Sequence, residues 1–489
     1  MKTDTSNKQS TNGYGIWLWV SLTLVVALAF LGRYPIADDA YITFRYAENV
    51  SRGHGLLYNM GQWVLGTTSP LWAFCLSLAT LAHIPLETFS CLAGLLACAF
   101  SILVVLRQAA LINLSSLEYL AVFASLMLFP IIHMGATSGM EAALYVLLIL
   151  LAFEAALEQR QVRAGILAAL CLGLRPDGIL VPVAILVQQG ISSRRIPLQF
   201  ALTYLALVIP ALCIEYYFYG ALIPHSVLAK RVIHSGSISD NLYALFHRTM
   251  RNDLDILAWL VGLSGLYCVW RFPSPQRSFC LLIAGWLVLY ILGLVFSGVD
   301  PIFYWYYYPI LLFLLLLGVS GLSAAATHYR SAFPRVATWE KAFRVVFALA
   351  VLSYAYSFHL RISERFANVL TYAQYAPALA TAAKNTDTFY LCETGLLGYE
   401  LKNNYIFDSS GINSPEVLAI IEAEKQRDPQ LALDWHAEAV RRLKPSWVVA
   451  LAGKCSIEKL AAAPGIQENY RPWQPQSNHS ADLVILQRL

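Results

Sequence analysis

Long apolar stretches separated by short polar islands run through the first three quarters of the chain and stop near residue 360. They lie at about 14–32, 86–106, 118–135, 138–157, 164–174, 177–190, 197–219, 255–271, 279–296, 308–325 and 343–360. Most approach the roughly 20 apolar residues that a helix needs to cross a bilayer. The pattern therefore predicts an α-helical polytopic membrane protein with about 11 transmembrane helices. Residues 66–83 also look apolar enough to span, yet counting them inverts every later loop. They are read as re-entrant or interfacial; otherwise one of the short runs at 164–190 is not a full span. From Arg361 onward the pattern shortens. FYLCETG, NYIFDSS, SWVVALAG and DLVILQRL read as strands, and the stretches around 414–426 and 434–443 read as helices. The expected division is a transmembrane domain, 1–360, and a small soluble α/β domain, 361–489, near the minimum size for its own core.

Composition sharpens this division. The chain is 58% hydrophobic and 13% charged, against roughly a quarter charged in soluble globular proteins. Of its 64 charged residues, 27 fall in 361–489. A net charge of +4 is too small to argue for a nucleic-acid partner, and none is expected. The run at 14–32 is long for a signal peptide and lacks a small-residue cleavage site before Arg33, so it is read as a retained helix. With a cytoplasmic N-terminus, the positive-inside rule is satisfied by the cations flanking the runs, from Arg107 to Arg344. The opposite, outer face then receives the Asp38–Asp39 pair, TSGME (137–141), LRPDG (174–178), the loop from Tyr219 to about Leu254, SGVDPIFYWYYYP (297–309) and the soluble tail. Nine cysteines show no metal-ligand spacing. Seven lie in apolar runs and read as core filler. Cys392 and Cys455 lie in the tail and can pair if that tail faces an oxidising compartment.

The polar islands carry the candidate chemistry. In ADDAYITFRYAENVSRGHGLLYN (37–59), Asp38, Tyr41 and Arg45 fall at i, i+3 and i+7, which on a helix puts a carboxylate, a phenol and a guanidinium on one stripe. One aspartate reads as a catalytic base and the other as a cap or orienting partner. Arg45 either clamps an anionic phosphate or merely balances the acids. His54, between Gly53 and Gly55, is a candidate substrate contact, although a lone loop histidine is usually just exposed. Glu141 stands at the mouth of an apolar run, where a carboxylate is costly unless hydrated or paired. Arg175 and Asp177 either line a cavity or form a mutual ion pair. Lys230 and Arg231 sit on the face the charge rule disfavours, and binding a lipid-linked phosphate gives Lys230 a reason to be there. FYWYYYP reads first as an interfacial aromatic belt and second as a set of planes for stacking sugar rings.

The block DDAYITFRYAENVSRGHGLLYNMGQWVLGTTSPLW resembles the start of bacterial integral membrane glycosyltransferases of the GT-C fold, in particular the arabinofuranosyltransferase-type and mannosyltransferase-like groups. GMEAAL, LRPDG and YGALIPHSVLAK are similar to later blocks in the same order, and ETGLLGYELKNNYIFDSSGINSP to the C-terminal extracytoplasmic domain. His225 stands where Asn is commoner, Asp177 where Glu is commoner, and YWYYYP lacks the Arg often seen before that proline. The resemblance implies transfer of a sugar from a polyprenyl-phosphate donor on the extracytoplasmic face of the bacterial cytoplasmic (inner) membrane. The acceptor would be a cell-envelope glycan, with lipopolysaccharide as one candidate.

A phosphate leaves without a general acid, so one carboxylate that activates the acceptor hydroxyl suffices, while cations offset charge on the departing group. The resemblance favours Asp38 as base, with Asp39 beside it, and inversion at the anomeric carbon. Arg45, Arg175 and Lys230 are the phosphate candidates, and His54 and Glu141 the contacts to sugar or acceptor. No metal motif is visible and no cofactor is implied, although a divalent cation held by Asp39 and the phosphate is left open. The alternative is a flippase or transporter, which calls for charges near the bilayer midplane and internal repeats. A ligase joining whole lipid-linked saccharides is the other alternative. It would share the outer cations and the base.

Overall fold

The computed structural model describes residues 36–108, 123, 126–127, 129–193, 197–272, 276–301, 303–329, 367–427, 435–474 and 483–489. The expected spans at 14–32 and 343–360, and residues 118–122, 124, 125 and 128 of that at 118–135, lie outside the described residues. The helical body comprises α1 (Asp38–Ser51), α2 (Pro70–Leu81), α3 (Leu86–Gln108), α4 (Pro130–Thr137), α5 (Ala142–Leu157), α6 (Gln161–Leu174), α7 (Leu180–Ser193) and α8 (Leu198–Tyr219). It continues through α9 (His225–Ile233), α10 (Ile238–Thr249), α11 (Asp253–Arg271), α12 (Arg277–Phe296) and α13 (Tyr308–Tyr329).

Among the described residues, α3, α8, α11, α12 and the helix around Tyr304–Ala325 are long and apolar enough to cross a membrane. A sixth span arises if α4 and α5, bent by 103° at the intervening SGME, are counted as one. The runs at 164–174 and 177–190 become two helices of 14 residues each. At about 21 Å apiece they fall short of a ~30 Å hydrocarbon core. The segment at 66–83 forms α2, only 12 residues long, in keeping with an interfacial or re-entrant piece. The loop expected from Tyr219 to Leu254 instead carries α9 and α10, the latter opened by a capping box at Ser237 and Asp240.

Inside the bilayer, helix association relies on close packing rather than on apolar burial. At Gly265 of α11 an added Cβ would lie 2.3 Å from the Leu317 carbonyl oxygen and 2.6 Å from Gly318 Cα, so α11 and α13 touch backbone to backbone. By contrast α8 presents Leu202, Leu205, Ile209 and Ile214 outward, as expected of a lipid-facing helix. Its Cys213 is also exposed, unlike Cys98, Cys171 and Cys280, which are buried filler.

The tail begins in the described residues with α14 (Ala367–Ala382) and builds a five-stranded sheet of order β2-β1-β3-β5-β4. The strands are β1 (Thr388–Leu391), β2 (Tyr405–Asp408), β3 (Trp447–Leu451), β4 (Tyr470–Pro472) and β5 (Leu483–Arg488). β1 runs parallel to β2 and β3, whereas β5 runs antiparallel to β3 and β4. Every residue of β3 is buried, which explains its unbroken apolar sequence. The short α15 (Leu396–Glu400) follows β1, and α16 (Pro415–Arg427) and α17 (Trp435–Leu443) fall where helices are expected. Cys392 and Cys455 form a disulfide that joins the end of β1 to the loop after β3.

Candidate active site

A cavity of about 480 Å³ lies where the helical body meets the tail. Its walls come from α1, the 66–69 loop, the SGME bend, the RPD turn between α6 and α7, α9, α12, the 297–306 segment and Ile412 of the tail. All four polar islands that the charge rule places beside the Asp pair therefore converge on one space.

Within α1 the two aspartates diverge. Asp39 lines the cavity together with Ile42 and Thr43, one turn on. Its carboxylate has no hydrogen-bond partner among the described residues. Burial pushes its pKa up, and the Lys230 ammonium pulls in the other direction. Asp38 points the opposite way. The backbone N–H groups of Gly395 and Leu396 donate to its two carboxylate oxygens at 3.0 and 2.9 Å. Burial pushes the Asp38 carboxyl up to about 7, and the Leu396 N–H opposes that rise. The approach is so close that a Cβ at Gly395 would lie 1.8 Å from the Asp38 carbonyl oxygen.

On α9, Ser226 and Lys230 stand one turn apart and both line the cavity, with Arg231 beside them. Lys230 lies over the Phe303 ring, 5.2 Å from its centroid, and has no ion-pair partner among the described residues. The Ser226 hydroxyl is buried and has no hydrogen-bond partner among them. The tail holds α9 in place: His225 Nε2 lies 3.0 Å from the Gly411 carbonyl oxygen, and the Lys425 ammonium donates to the Val232 carbonyl.

Arg175 is spoken for by the protein itself. Its Nε donates to Asp177 at 3.0 Å and its Nη1 to Glu141 at 3.1 Å. The rings of Tyr145 and Tyr306 lie 5.5 Å from the guanidinium. Two carboxylates thus offset one buried cation. Among the described residues no set of three or more His, Cys, Asp or Glu side chains is arranged to hold a metal ion.

No protein-family model and no curated protein sequence matches the chain. Solved structures do. The crystal structure of ArnT from Cupriavidus metallidurans bound to undecaprenyl phosphate aligns with a TM-score of 0.60 over 96% of this chain and 97% of that one, at 15% identity. The apo form of the same protein aligns with a TM-score of 0.59 over 97% and 98%, at 14% identity. The chain has the GT-C fold.

On this GT-C frame, Asp39, Glu141, Arg175 and Lys230 come together in the cavity, and Asp38, Arg45 and His54 do not. The stripe of Asp38, Tyr41 and Arg45 exists, but it faces the tail: Tyr41 meets the Tyr399 ring at 5.7 Å. Arg45 is no phosphate ligand, because its guanidinium is buried among the carbonyls of Tyr58, Gly398 and Asn404. His54 is exposed in its turn, with Nδ1 3.2 Å from Met60 Sδ. Arg175 both lines the cavity and forms the expected ion pair with Asp177, to which Glu141 is added. The FYWYYYP cluster is not a lipid-facing belt; Trp305, Tyr307 and Tyr308 are buried, and Trp305 and Tyr306 line the cavity.

Sequence reasoning missed Ser226, the Thr43–Thr67 hydroxyl pair at 3.2 Å, and Ile412. Ser226 had a usable signal, since it precedes Lys230 by four residues, one helical turn. Ile412 is delivered by a loop knotted around buried Asp408, which accepts from the backbone N–H groups of Ser410 and Asn413 at 2.9 and 3.0 Å. Asp38→Asn leaves one of the two N–H groups at the start of α15 without an acceptor. It is expected to cost about 1–3 kcal/mol of stability, read as a lowered melting temperature, while turnover per folded molecule stays within about tenfold of wild type.

Proposed function

We propose that the chain is a membrane glycosyltransferase that moves a sugar from a polyprenyl-phosphate donor to a hydroxyl of a cell-envelope glycan. Asp39 acts as the base. It takes the acceptor proton as the acceptor oxygen attacks the anomeric carbon, and the bond from that carbon to the phosphate oxygen breaks. The electron pair leaves with the phosphate, whose growing charge meets the Lys230 ammonium, the Arg231 guanidinium and the Ser226 hydroxyl. Such cations aimed at developing charge stabilise the transition state. One carboxylate with a departing phosphate opposite gives a single displacement, hence inversion, and not the two-carboxylate layout of glycoside hydrolysis.

The observation that carries this reading is an unpartnered carboxylate and an unpartnered ammonium lining one cavity at the end of a helical body. The shared fold with a protein crystallised with undecaprenyl phosphate supports a lipid-linked donor. So does the apolar wall formed by Ile179, Leu180 and Leu294, which continues outward along the exposed Val183, Val187 and Leu292. The Cys392–Cys455 disulfide supports placing the tail in an oxidising compartment, outside the inner membrane of a bacterium. A lipopolysaccharide or another surface glycan is the proposed acceptor.

The test is binding of undecaprenyl phosphate to the purified protein in nanodiscs. Lys230→Met is expected to weaken it roughly 10–100-fold, the equivalent of one charge-assisted hydrogen bond. Failure of the wild type to bind any polyprenyl phosphate would remove the donor from the proposal.

A further inference from the structure

We propose that Glu141 reads the donor sugar, through the one carboxylate oxygen that the protein leaves unpaired. The inference rests on the lipid-linked-donor reading above and assigns the sugar end of that donor to one wall of the cavity.

The Glu141 side chain is 1% exposed. Its Oε1 accepts from Arg175, while Oε2 is buried and has no partner among the described residues. A buried charged oxygen left unpaired is costly, and a folded protein keeps such a group where something else completes it. Position tells what that something is. Glu141 lines the same cavity as Asp39, so this wall carries two carboxylates. A phosphate would be repelled from this wall and drawn to α9, where Lys230 and Arg231 stand. What suits the Glu141 wall is a neutral group rich in O–H donors, and a sugar ring supplies several. The donor then lies with its phosphate on α9, its anomeric carbon beside Asp39 and its hydroxyls on Glu141.

The surroundings make Glu141 a selective reader rather than a loose contact. Arg175 is pinned by Asp177, by Glu141 and between two aromatic rings, so the carboxylate it holds has a fixed direction. A site built to accept hydrogen bonds from a substrate rejects an analogue that lacks them, because its own polar group is then stranded. Glu141 therefore contributes to the choice of sugar, whereas Lys230 serves any polyprenyl phosphate.

Glu141→Gln keeps the size of the side chain, and Arg175 keeps Asp177 as its counter-ion, so the fold is expected to survive. Wild type and variant are exposed in nanodiscs to undecaprenyl phosphate alone and to a total lipid extract of the source cells. Retained lipids are identified by native mass spectrometry. Wild type is expected to retain one sugar-bearing polyprenyl phosphate in preference to the bare lipid. The variant should lose that preference by roughly 10–100-fold and bind undecaprenyl phosphate as wild type does. A variant that keeps the preference overturns the assignment, as does a wild type that shows none. Equal loss of both lipids means a structural role and also overturns it. If wild type retains no polyprenyl phosphate at all, the donor reading itself falls, a different outcome from the failure of Glu141 alone.

Discussion

Asp39→Asn is expected to lower turnover by about 10²–10⁴-fold, the usual contribution of a positioned general base, and to leave the affinity for undecaprenyl phosphate within a few-fold of wild type. Asparagine matches the shape of the side chain but cannot take a proton. The neighbouring carboxylate cannot replace it, because Asp38 spends both oxygens on the backbone of Gly395 and Leu396 on the far side of α1. Burial raises the Asp39 pKa. The deprotonated form does the work, so activity should fall as pH is lowered through a midpoint above the ordinary aspartate range. Steady-state rates of Asp38→Asn and Asp39→Asn, measured side by side over pH, check this. Equal loss in both variants would mean that the two aspartates act as a unit.

The largest loss of stability is expected from Arg45→Met. Arg45 is 1% exposed. Its Nε donates to the Tyr58 carbonyl at 2.8 Å, Nη1 to Gly398 at 2.5 Å, and Nη2 to Asn404 at 2.8 Å and to Asn59 Oδ1 at 3.3 Å. The guanidinium also lies over the Tyr58 ring, 4.4 Å from its centroid. Two of the carbonyls belong to the tail and one to the loop after α1, so a single side chain stitches the two parts of the molecule. Methionine fills most of the volume but strands those carbonyls, each costing about 1–3 kcal/mol when buried and unpaired. A net loss of roughly 3–5 kcal/mol is expected, in line with the removal of a buried charged partner elsewhere. Thermal melting in detergent, with cleavage between tail and body followed by limited proteolysis, reads it. Arg45→Lys should recover only part, since an ammonium offers three donors from one point and not a fork. A melting temperature unchanged in Arg45→Met would remove the stitch from the account.

The sequence was most legible where one local rule decides the outcome. Apolar length located α3, α8, α11, α12 and α13, and short apolar runs in the tail located β1, β2, β3 and β5. Among the described strands, the three-residue β4 is too short to leave a pattern. Helical spacing rightly put Asp38, Tyr41 and Arg45 on one face. What spacing cannot tell is which way a face looks, and that is settled by contacts more than 350 residues away in the chain. The same limit explains why the aromatic FYWYYYP read as a belt. An interfacial belt and a cavity wall demand the same residues, and only tertiary packing separates them. The Arg175–Asp177 pair was readable because the two residues are neighbours in sequence. Its third member, Glu141, comes from another helix and was not.

The central claim is that a carboxylate at position 39 transfers a lipid-linked sugar to the cell surface. The measurement that tests it most directly is mass spectrometry of surface glycans from cells lacking the gene and from the same cells complemented with wild type, Asp38→Asn or Asp39→Asn, each checked for expression. The account predicts that the deletion loses one defined sugar, that wild type and Asp38→Asn restore it, and that Asp39→Asn does not. Restoration by Asp39→Asn would contradict it, and so would a deletion that leaves every glycan unchanged while lipid-linked precursors accumulate with their full complement of sugars.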